Sequence, residues 1–222
     1  MGGFKKISMQ KQSARIIALL GALLGWFAII TQLYLMMGNR VVSVPKTLLR
    51  FFAFFTIDTN IIIALCFTFI FLGSKYRLGR FFSKASTLTA ITVYITIVGI
   101  VYNVILRSLW EPQGTQKLID ELLHSVIPAL FIIFWLIFVP IEQLKWKNAF
   151  PWLIYPIAYM TYTIIHGAIT KFYPYPFVDV NDLGYHKALL NTGGILLVIF
   201  LLSLALIGTG KLMQKFDTKK IA

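Results

Sequence analysis

Charged residues are scarce in this sequence: they make up 13% of its 222 residues, whereas hydrophobic residues make up 58%. A water-soluble domain usually carries about twice that share of charge. A single water-soluble core cannot bury so large an apolar excess, which argues against a soluble globular protein. The composition therefore predicts an all-α, polytopic integral membrane protein, in which lipid solvates much of the apolar surface.

Cysteine and histidine are nearly absent as well. The single cysteine, Cys66, excludes a disulfide within the chain. The three histidines, His124, His166 and His186, show neither H-x-x-x-H nor H-E-x-x-H spacing, so we expect no metal and no cofactor; a three-histidine metal site stays open as an alternative. GxSxG, P-loop and dinucleotide-binding motifs are missing too, which disfavours serine hydrolases of the familiar soluble type.

Acidic residues are few, with 8 Asp and Glu against 21 Lys and Arg and a net charge of +13. Such a charge could indicate nucleic-acid binding. The basic residues, however, fall in the gaps between apolar runs, where topology and anionic headgroups account for them. We therefore expect the bilayer as partner and no nucleic acid.

Six apolar runs approach the ~20 residues that a helix needs to cross a bilayer. They cover residues 15–37, 51–72, 86–107, 122–140, 150–168 and 188–209. The connectors are short, so residues 1–222 are predicted to form a single six-helix transmembrane domain. The first run is long and lacks a small-residue cleavage site, which favours a retained span over a signal peptide.

The distribution of Lys and Arg predicts the orientation. The side that holds both termini carries fourteen of these residues, and the other side carries seven. Because short cytoplasmic segments are enriched in basic residues, we expect both termini on the cytoplasmic side.

Polar residues gather in the outward half of the predicted spans. Snorkelling at helix ends accounts for Arg50, Arg107 and Lys187. It accounts less well for Asp58 and Asn60, which are short side chains two to three turns deep. The clustering predicts a polar cavity that opens to the outer leaflet. The residues concerned are Thr31, Gln32, Thr56, Asp58, Thr59, Asn60, Tyr102, Asn103, Arg107, Asp120, Glu121, His124, Ser125, Tyr162, Thr163, His166, His186, Asn191 and Thr192.

Helical spacing indicates which neighbours His124 has on its own span. Asp120 and Glu121 precede it by four and three residues, so either carboxylate could orient the imidazole. Pro128 has no N–H for the carbonyl of His124, which favours a kink at this point.

The second span begins with a polar strip. Thr56, Thr59 and Asn60 share one helix face, whereas Asp58 lies about 200° from Thr56. Asp58 is therefore expected to pair with Arg107 or with a histidine of another span.

The connector at residues 172–179 reads FYPYPFVD, which is too aromatic for a plain linker and too proline-rich for a helix. Two interpretations are open. The segment covers the cavity, or it is an interfacial turn anchored by its tyrosines.

Two short motifs suggest a chemistry for the polar cluster. Residues 54–58 (FFTID) and 122–128 (LLHSVIP) place a threonine and a histidine near the outer ends of the second and fourth spans. A histidine can take the proton of a threonine hydroxyl and so activate it as a nucleophile. Both motifs resemble those of the androgen-induced membrane hydrolases, which split fatty acid esters of hydroxy fatty acids. Residues 166–179 are similar to a segment of bacterial six-span relatives.

The resemblance implies that Thr56 is the nucleophile and His124 the base of an intramembrane lipid-ester hydrolase. Asp120 or Glu121 would orient His124, and Asn60, Asn103 or backbone N–H groups would steady the oxyanion. Asp58 and His166 are further supporting candidates. The resemblance to bacterial relatives implies a bacterial plasma membrane. The alternatives are a non-catalytic membrane protein that binds a lipid or small molecule, and a transporter or channel.

Overall fold

Helices account for every regular element among the residues that the structure describes. The structure, a computed structural model, describes the backbone of residues 2–109, 111–141 and 144–219 and, within these ranges, the side chains of residues 12–212. The basic residues at the chain ends, Lys5, Lys6, Lys11, Lys215, Lys219 and Lys220, lie outside the described side chains. The α-helices are α1 (Gly2–Gly38), α2 (Val44–Phe51), α3 (Phe55–Leu72), α4 (Arg77–Phe82), α5 (Ala85–Val101), α6 (Gly114–Glu121), α7 (Ile127–Phe138), α8 (Ala149–Trp152), α9 (Ile154–Thr170) and α10 (Val180–Lys219).

Five helices of the described chain are long and apolar enough to cross a membrane. They cover Gln12–Gly38, Phe55–Leu72, Ala85–Leu109, Gly114–Phe138 and Val180–Leu212. Each overlaps one of the predicted runs, so the protein is an all-α polytopic membrane protein by the length and composition of its helices.

The predicted run at 150–168 divides into two helices, α8 and α9. The break falls at Leu153, which forms a turn between Trp152 and Ile154. Pro156 explains it, because a proline has no N–H to donate to the carbonyl four residues earlier, that of Trp152. The remaining helix, α9, has 17 residues and is not one of the five. A sixth span stays a prediction.

Two π-helical segments interrupt the long helices. One covers Tyr102–Leu106 and follows α5; the other covers Leu122–Val126 and joins α6 to α7. The predicted fourth run began at residue 122, whereas the helix begins at Gly114. The continuation of this helix, α7, ends at Phe138, because Val139 precedes Pro140 and adopts an extended conformation (φ −95°, ψ 128°).

The chain divides into two compact units, and the predicted single domain stays a prediction. The first unit comprises Met1–Leu35 and Asp58–Pro140. Within it, α1 lies close to α3 at Gly25, where an added Cβ would stand 3.1 Å from the Cβ of Ala64. Small residues permit such close approach of membrane helices.

The second unit comprises Met36–Ile57 and Ile141–Ala222 and therefore includes the first turn of α3. Helix α9 ends at Thr170. The next residue, Lys171, has a left-handed backbone conformation (φ 59°) that turns the chain back. The ring of Tyr173 then packs on Gly167, where an added Cβ would stand 2.0 Å from the tyrosine Cε1. Only a glycine allows this contact. Helix α10 is broken at Gly184 (φ 71°, ψ 161°).

Candidate functional site

His124 lies within the π-helical segment Leu122–Val126, which belongs to the first unit. Its Nδ1 is 2.9 Å from the carbonyl oxygen of Asp120 and 3.3 Å from the carboxylate of the same residue. Because a carbonyl oxygen only accepts, Nδ1 carries the hydrogen and Nε2 holds a lone pair in the neutral ring. No described group of the first unit forms a hydrogen bond with Nε2. Asp120, and not Glu121, is the residue that orients His124.

Tyr102 contacts both His124 and Asp120. Its ring stacks on the imidazole of His124 with 4.0 Å between the centroids. Its hydroxyl donates to the carboxylate of Asp120, which is buried. The two contacts fix both the plane of the imidazole and the carboxylate beside it. The sequence placed Tyr102 in the polar cluster but indicated no role for it.

Glu121 belongs to a separate polar group at the edge of the first unit. Arg107 donates to the Glu121 carboxylate across 2.8 Å and to the Ser125 hydroxyl across 3.2 Å. Ser125 in turn donates to Glu121 across 2.9 Å. The predicted pairing of Asp58 with Arg107 or a histidine is not found within this unit. Arg107 forms an ion pair with Glu121, and His124 contacts the carboxylate of Asp120. Asp58 is half-buried and makes no ion pair with a described residue of the first unit.

Both asparagines of the predicted site bind main-chain carbonyls of the π-helical segment. The Ile127 N–H donates to Leu122, so it is not available to Leu123. Pro128 has no N–H for His124. Asn60 donates its side-chain amide to the Leu123 carbonyl across 3.2 Å, and Asn103 donates to the His124 carbonyl across 3.5 Å.

Carbonyls that lose their helical partner need another donor when they are buried. The contact of Asn60 with the buried Leu123 therefore supports the backbone that carries His124, whereas the contact of Asn103 lies at an exposed position. Asn103 also donates to the Gly99 carbonyl of its own helix across 2.8 Å. These contacts give the side-chain amides a structural role, and the expected role of steadying an oxyanion stays a prediction.

Thr56 lies in the first turn of α3, in the second unit, and is buried. The first four N–H groups of a helix have no partner within the helix. Here two tyrosines supply partners: the Phe55 N–H donates to the Tyr159 hydroxyl across 3.1 Å, and the Thr56 N–H donates to the Tyr175 hydroxyl across 3.3 Å. The Tyr175 hydroxyl is also 3.5 Å from the Thr56 Oγ1.

Tyr175 comes from the tyrosine–proline connector, which thus contacts the predicted nucleophile within the second unit. Its ring packs edge-on against Phe54 and stacks on Phe177. Burial raises the pKa of the neighbouring Tyr173 above its ordinary value, and Tyr185 and Asp179 raise it further. These contacts attach the connector to the first turn of α3, and both interpretations of the connector stay open. Sequence analysis found the connector but not its partner.

His166 lies on α9 in the second unit and is buried. Its neighbours are the rings of Tyr162 and Phe172, at centroid distances of 5.4 and 6.3 Å. Of the predicted site residues, Thr56 and His166 belong to the second unit. Those of the first unit are Asp58, Asn60, Asn103, Asp120, Glu121 and His124. Among the described residues, no group of three or more His, Cys, Asp or Glu side chains could hold a metal ion.

Comparisons of the chain with protein-family models, with curated proteins and with solved structures find no match. The class that the fold defines is an integral membrane protein with several apolar helices.

Proposed function

We propose that this protein is an intramembrane hydrolase of lipid esters, such as fatty acid esters of hydroxy fatty acids. Thr56 acts as the nucleophile and His124 as the general base. The observation that carries the proposal is the state of His124: its Nδ1–H is directed to Asp120, so the lone pair of Nε2 is the basic group of the neutral ring. That tautomer suits a general base.

The proposed reaction proceeds through an acyl-enzyme. The Thr56 Oγ1 attacks the ester carbonyl carbon while His124 Nε2 takes the hydroxyl proton. The tetrahedral intermediate collapses, its C–O bond to the alcohol breaks, and the alcohol oxygen takes the proton from the imidazolium. Water, deprotonated by His124, then attacks the acyl carbon; the C–O bond to Thr56 breaks, His124 returns the proton to the Thr56 Oγ1, and the fatty acid leaves.

Asp120 and Tyr102 serve this reaction as positioning residues. The Asp120 carboxylate, 3.3 Å from Nδ1, stabilises the imidazolium that forms when Thr56 is deprotonated. Tyr102 holds the carboxylate by its hydroxyl and the imidazole by its ring.

The position of Thr56 in the first turn of α3 favours charge development at its oxygen. The positive end of the helix dipole stabilises a forming alkoxide and a nearby oxyanion. We assign the hydroxyl of Tyr175 as a donor to the oxyanion, since it lies beside both the nitrogen and the Oγ1 of Thr56.

The membrane arrangement that we propose has six spans, with α9 as the sixth, and a polar cavity open to the outer leaflet. The 17 residues of α9 extend about 26 Å at the ~1.5 Å rise of a helix, slightly less than a ~30 Å hydrocarbon core. The fourteen-to-seven bias of basic residues supports a cytoplasmic location of both termini, and the membrane that we propose is a bacterial plasma membrane.

Labelling by a fluorophosphonate-type probe tests the proposal against a protein that only binds lipid. We expect the parent to be labelled and Thr56→Ala to lose the label. Thr161→Ala is the matched control, because Thr161 is exposed on α9 and donates to the Ile157 carbonyl of its own helix. Equal labelling of Thr56→Ala and the parent would favour the binding protein.

A further inference from the structure

Two buried polar atoms on one face of α9 have no hydrogen-bond partner among the described residues. They are the Oγ1 of Thr163 and the Nε2 of His166. The relative exposure of these residues is 0% and 7%. Residues three apart share a helix face, so the two groups stand side by side.

The hydrogen bonds around His166 determine which of its nitrogens carries the hydrogen. The hydroxyl of Thr170 donates to the His166 carbonyl across 2.8 Å, so its oxygen can only accept from the ring. The Nδ1 of His166, 3.4 Å from that oxygen, is therefore the donor. In the neutral ring, Nε2 is then a bare acceptor within the interior of the protein.

Thr163 differs from the other threonines of α9. Thr161 and Thr170 each donate their hydroxyl to the carbonyl four residues earlier, as threonines in helices commonly do. Thr163 does not. A buried hydroxyl and a buried imidazole nitrogen without hydrogen-bond partners both destabilise a fold. Their presence side by side therefore indicates that a bound ligand supplies the missing hydrogen-bond partners.

The surroundings of His166 indicate what kind of ligand this is. Tyr162 and Phe172, both incompletely buried, form aromatic walls that suit an aliphatic chain. The guanidinium of Arg50 lies 4.6 Å above the ring of Phe172. No acidic side chain described in the second unit pairs with Arg50. The cation next to the aromatic walls is thus free to bind an anionic group.

We propose that Thr163 and His166 bind the hydroxyl group of a hydroxylated, anionic amphiphile whose carboxylate lies at Arg50. The ligand hydroxyl donates to His166 Nε2 and accepts from the hydroxyl of Thr163. The choice of a hydroxy fatty acid rests on the proposed function, because a hydroxy fatty acid is a product of the proposed ester hydrolysis. The polar site itself rests on the contacts of Thr163 and His166.

Equilibrium binding to the full chain in detergent tests this site without any ester cleavage. The measurement uses the Thr56→Ala background and three probes: hydroxystearate, stearate and methyl hydroxystearate. We expect hydroxystearate to bind at least about tenfold more tightly than stearate, because its hydroxyl forms two buried hydrogen bonds that stearate cannot form. Thr163→Val and His166→Phe should each reduce this ratio to about twofold or less.

Arg50→Gln separates the two parts of the site. It should abolish the preference for hydroxystearate over its methyl ester and leave the preference for hydroxystearate over stearate unchanged. Thr161→Val and His186→Phe, at exposed positions of α9 and α10, are matched controls that should retain both preferences.

Equal affinity of the Thr56→Ala protein for hydroxystearate and stearate would overturn the assignment. So would a tenfold ratio that survives Thr163→Val, which is isosteric and expected to fold even if His166→Phe does not. A protein that discriminates between these probes but shows no ester hydrolysis would contradict the proposed function and leave this site in place.

Discussion

His124 donates its Nδ1–H to the main-chain carbonyl oxygen of Asp120, one helical turn earlier, across 2.9 Å. The tautomer of the ring is thus set by the backbone, and the Asp120 carboxylate at 3.3 Å is a second partner. This differs from a catalytic triad in which the carboxylate alone orients the imidazole. Loss of the carboxylate should therefore leave the ring in its productive tautomer.

Asp120→Asn is expected to lower kcat/KM about ten- to a hundredfold, less than removal of His124 would. The variant keeps the backbone carbonyl but loses the negative charge that stabilises the imidazolium. Steady-state hydrolysis of an activated ester measures the effect. Glu121→Gln is the matched control, because Glu121 contacts Arg107 and Ser125 and does not bond to the ring. Equal losses in the two variants would contradict the assigned role of Asp120.

The contact between Asn60 and Leu123 predicts a coupling that a double-mutant cycle can detect. Asn60→Leu leaves the Leu123 carbonyl buried without its donor, which should cost about 1–3 kcal/mol of stability. In the i→i−5 pattern that the Ile127 N–H follows, the N–H restored by Pro128→Ala would donate to the Leu123 carbonyl, so Asn60→Leu should cost clearly less in that background. Thermal unfolding in detergent measures all four proteins. Strictly additive effects would show that the proline and the asparagine act independently.

Tyr175→Phe should lower kcat at least tenfold with little change in KM, because the hydroxyl beside Thr56 is lost while the ring contacts remain. Tyr159→Phe is the matched control. The Tyr159 hydroxyl accepts from the Phe55 N–H and donates to the Ala53 carbonyl, so its removal should lower stability and spare activity. Similar rates for Tyr175→Phe and the parent would leave Tyr175 as a helix cap only.

Much of the fold follows from the hydropathy of the sequence. The second run, predicted at residues 51–72, corresponds to α3 at Phe55–Leu72, because the helix extends to the end of the same apolar stretch. The boundaries near residues 114 and 153 differed because polar residues can extend a helix beyond its apolar part and prolines can divide it. Neither effect changes average hydropathy much.

Only part of the candidate site could be predicted. The spacing of Asp120, Glu121 and His124 showed that either acid could reach the imidazole, and Pro128 showed that the carbonyl of His124 would lose its partner. The rotation of one helix about its axis relative to another is not encoded in spacing along either helix. Contacts such as the stacking of Tyr102 on His124 therefore gave no signal in the sequence.

The number of spans can be tested by the location of the termini. Six spans place both termini on the same side, whereas the five long helices alone would place them on opposite sides. With α9 as the sixth span, tags at both ends should resist external protease in intact cells and be digested after permeabilisation. An accessible tag at one end only would show that α9 does not cross the membrane.

The central claim, that Thr56 and His124 act together, is tested most directly by hydrolysis of a branched fatty-acid ester by purified protein in detergent. The parent, Thr56→Ala, His124→Ala and the double variant are compared, with Thr56→Ser retaining a hydroxyl. Because a nucleophile and its base act as a unit, each single variant should lose nearly as much activity as the double variant, and Thr56→Ser should keep part of it. A folded Thr56→Ala variant that hydrolyses the ester at the parent rate would contradict the account.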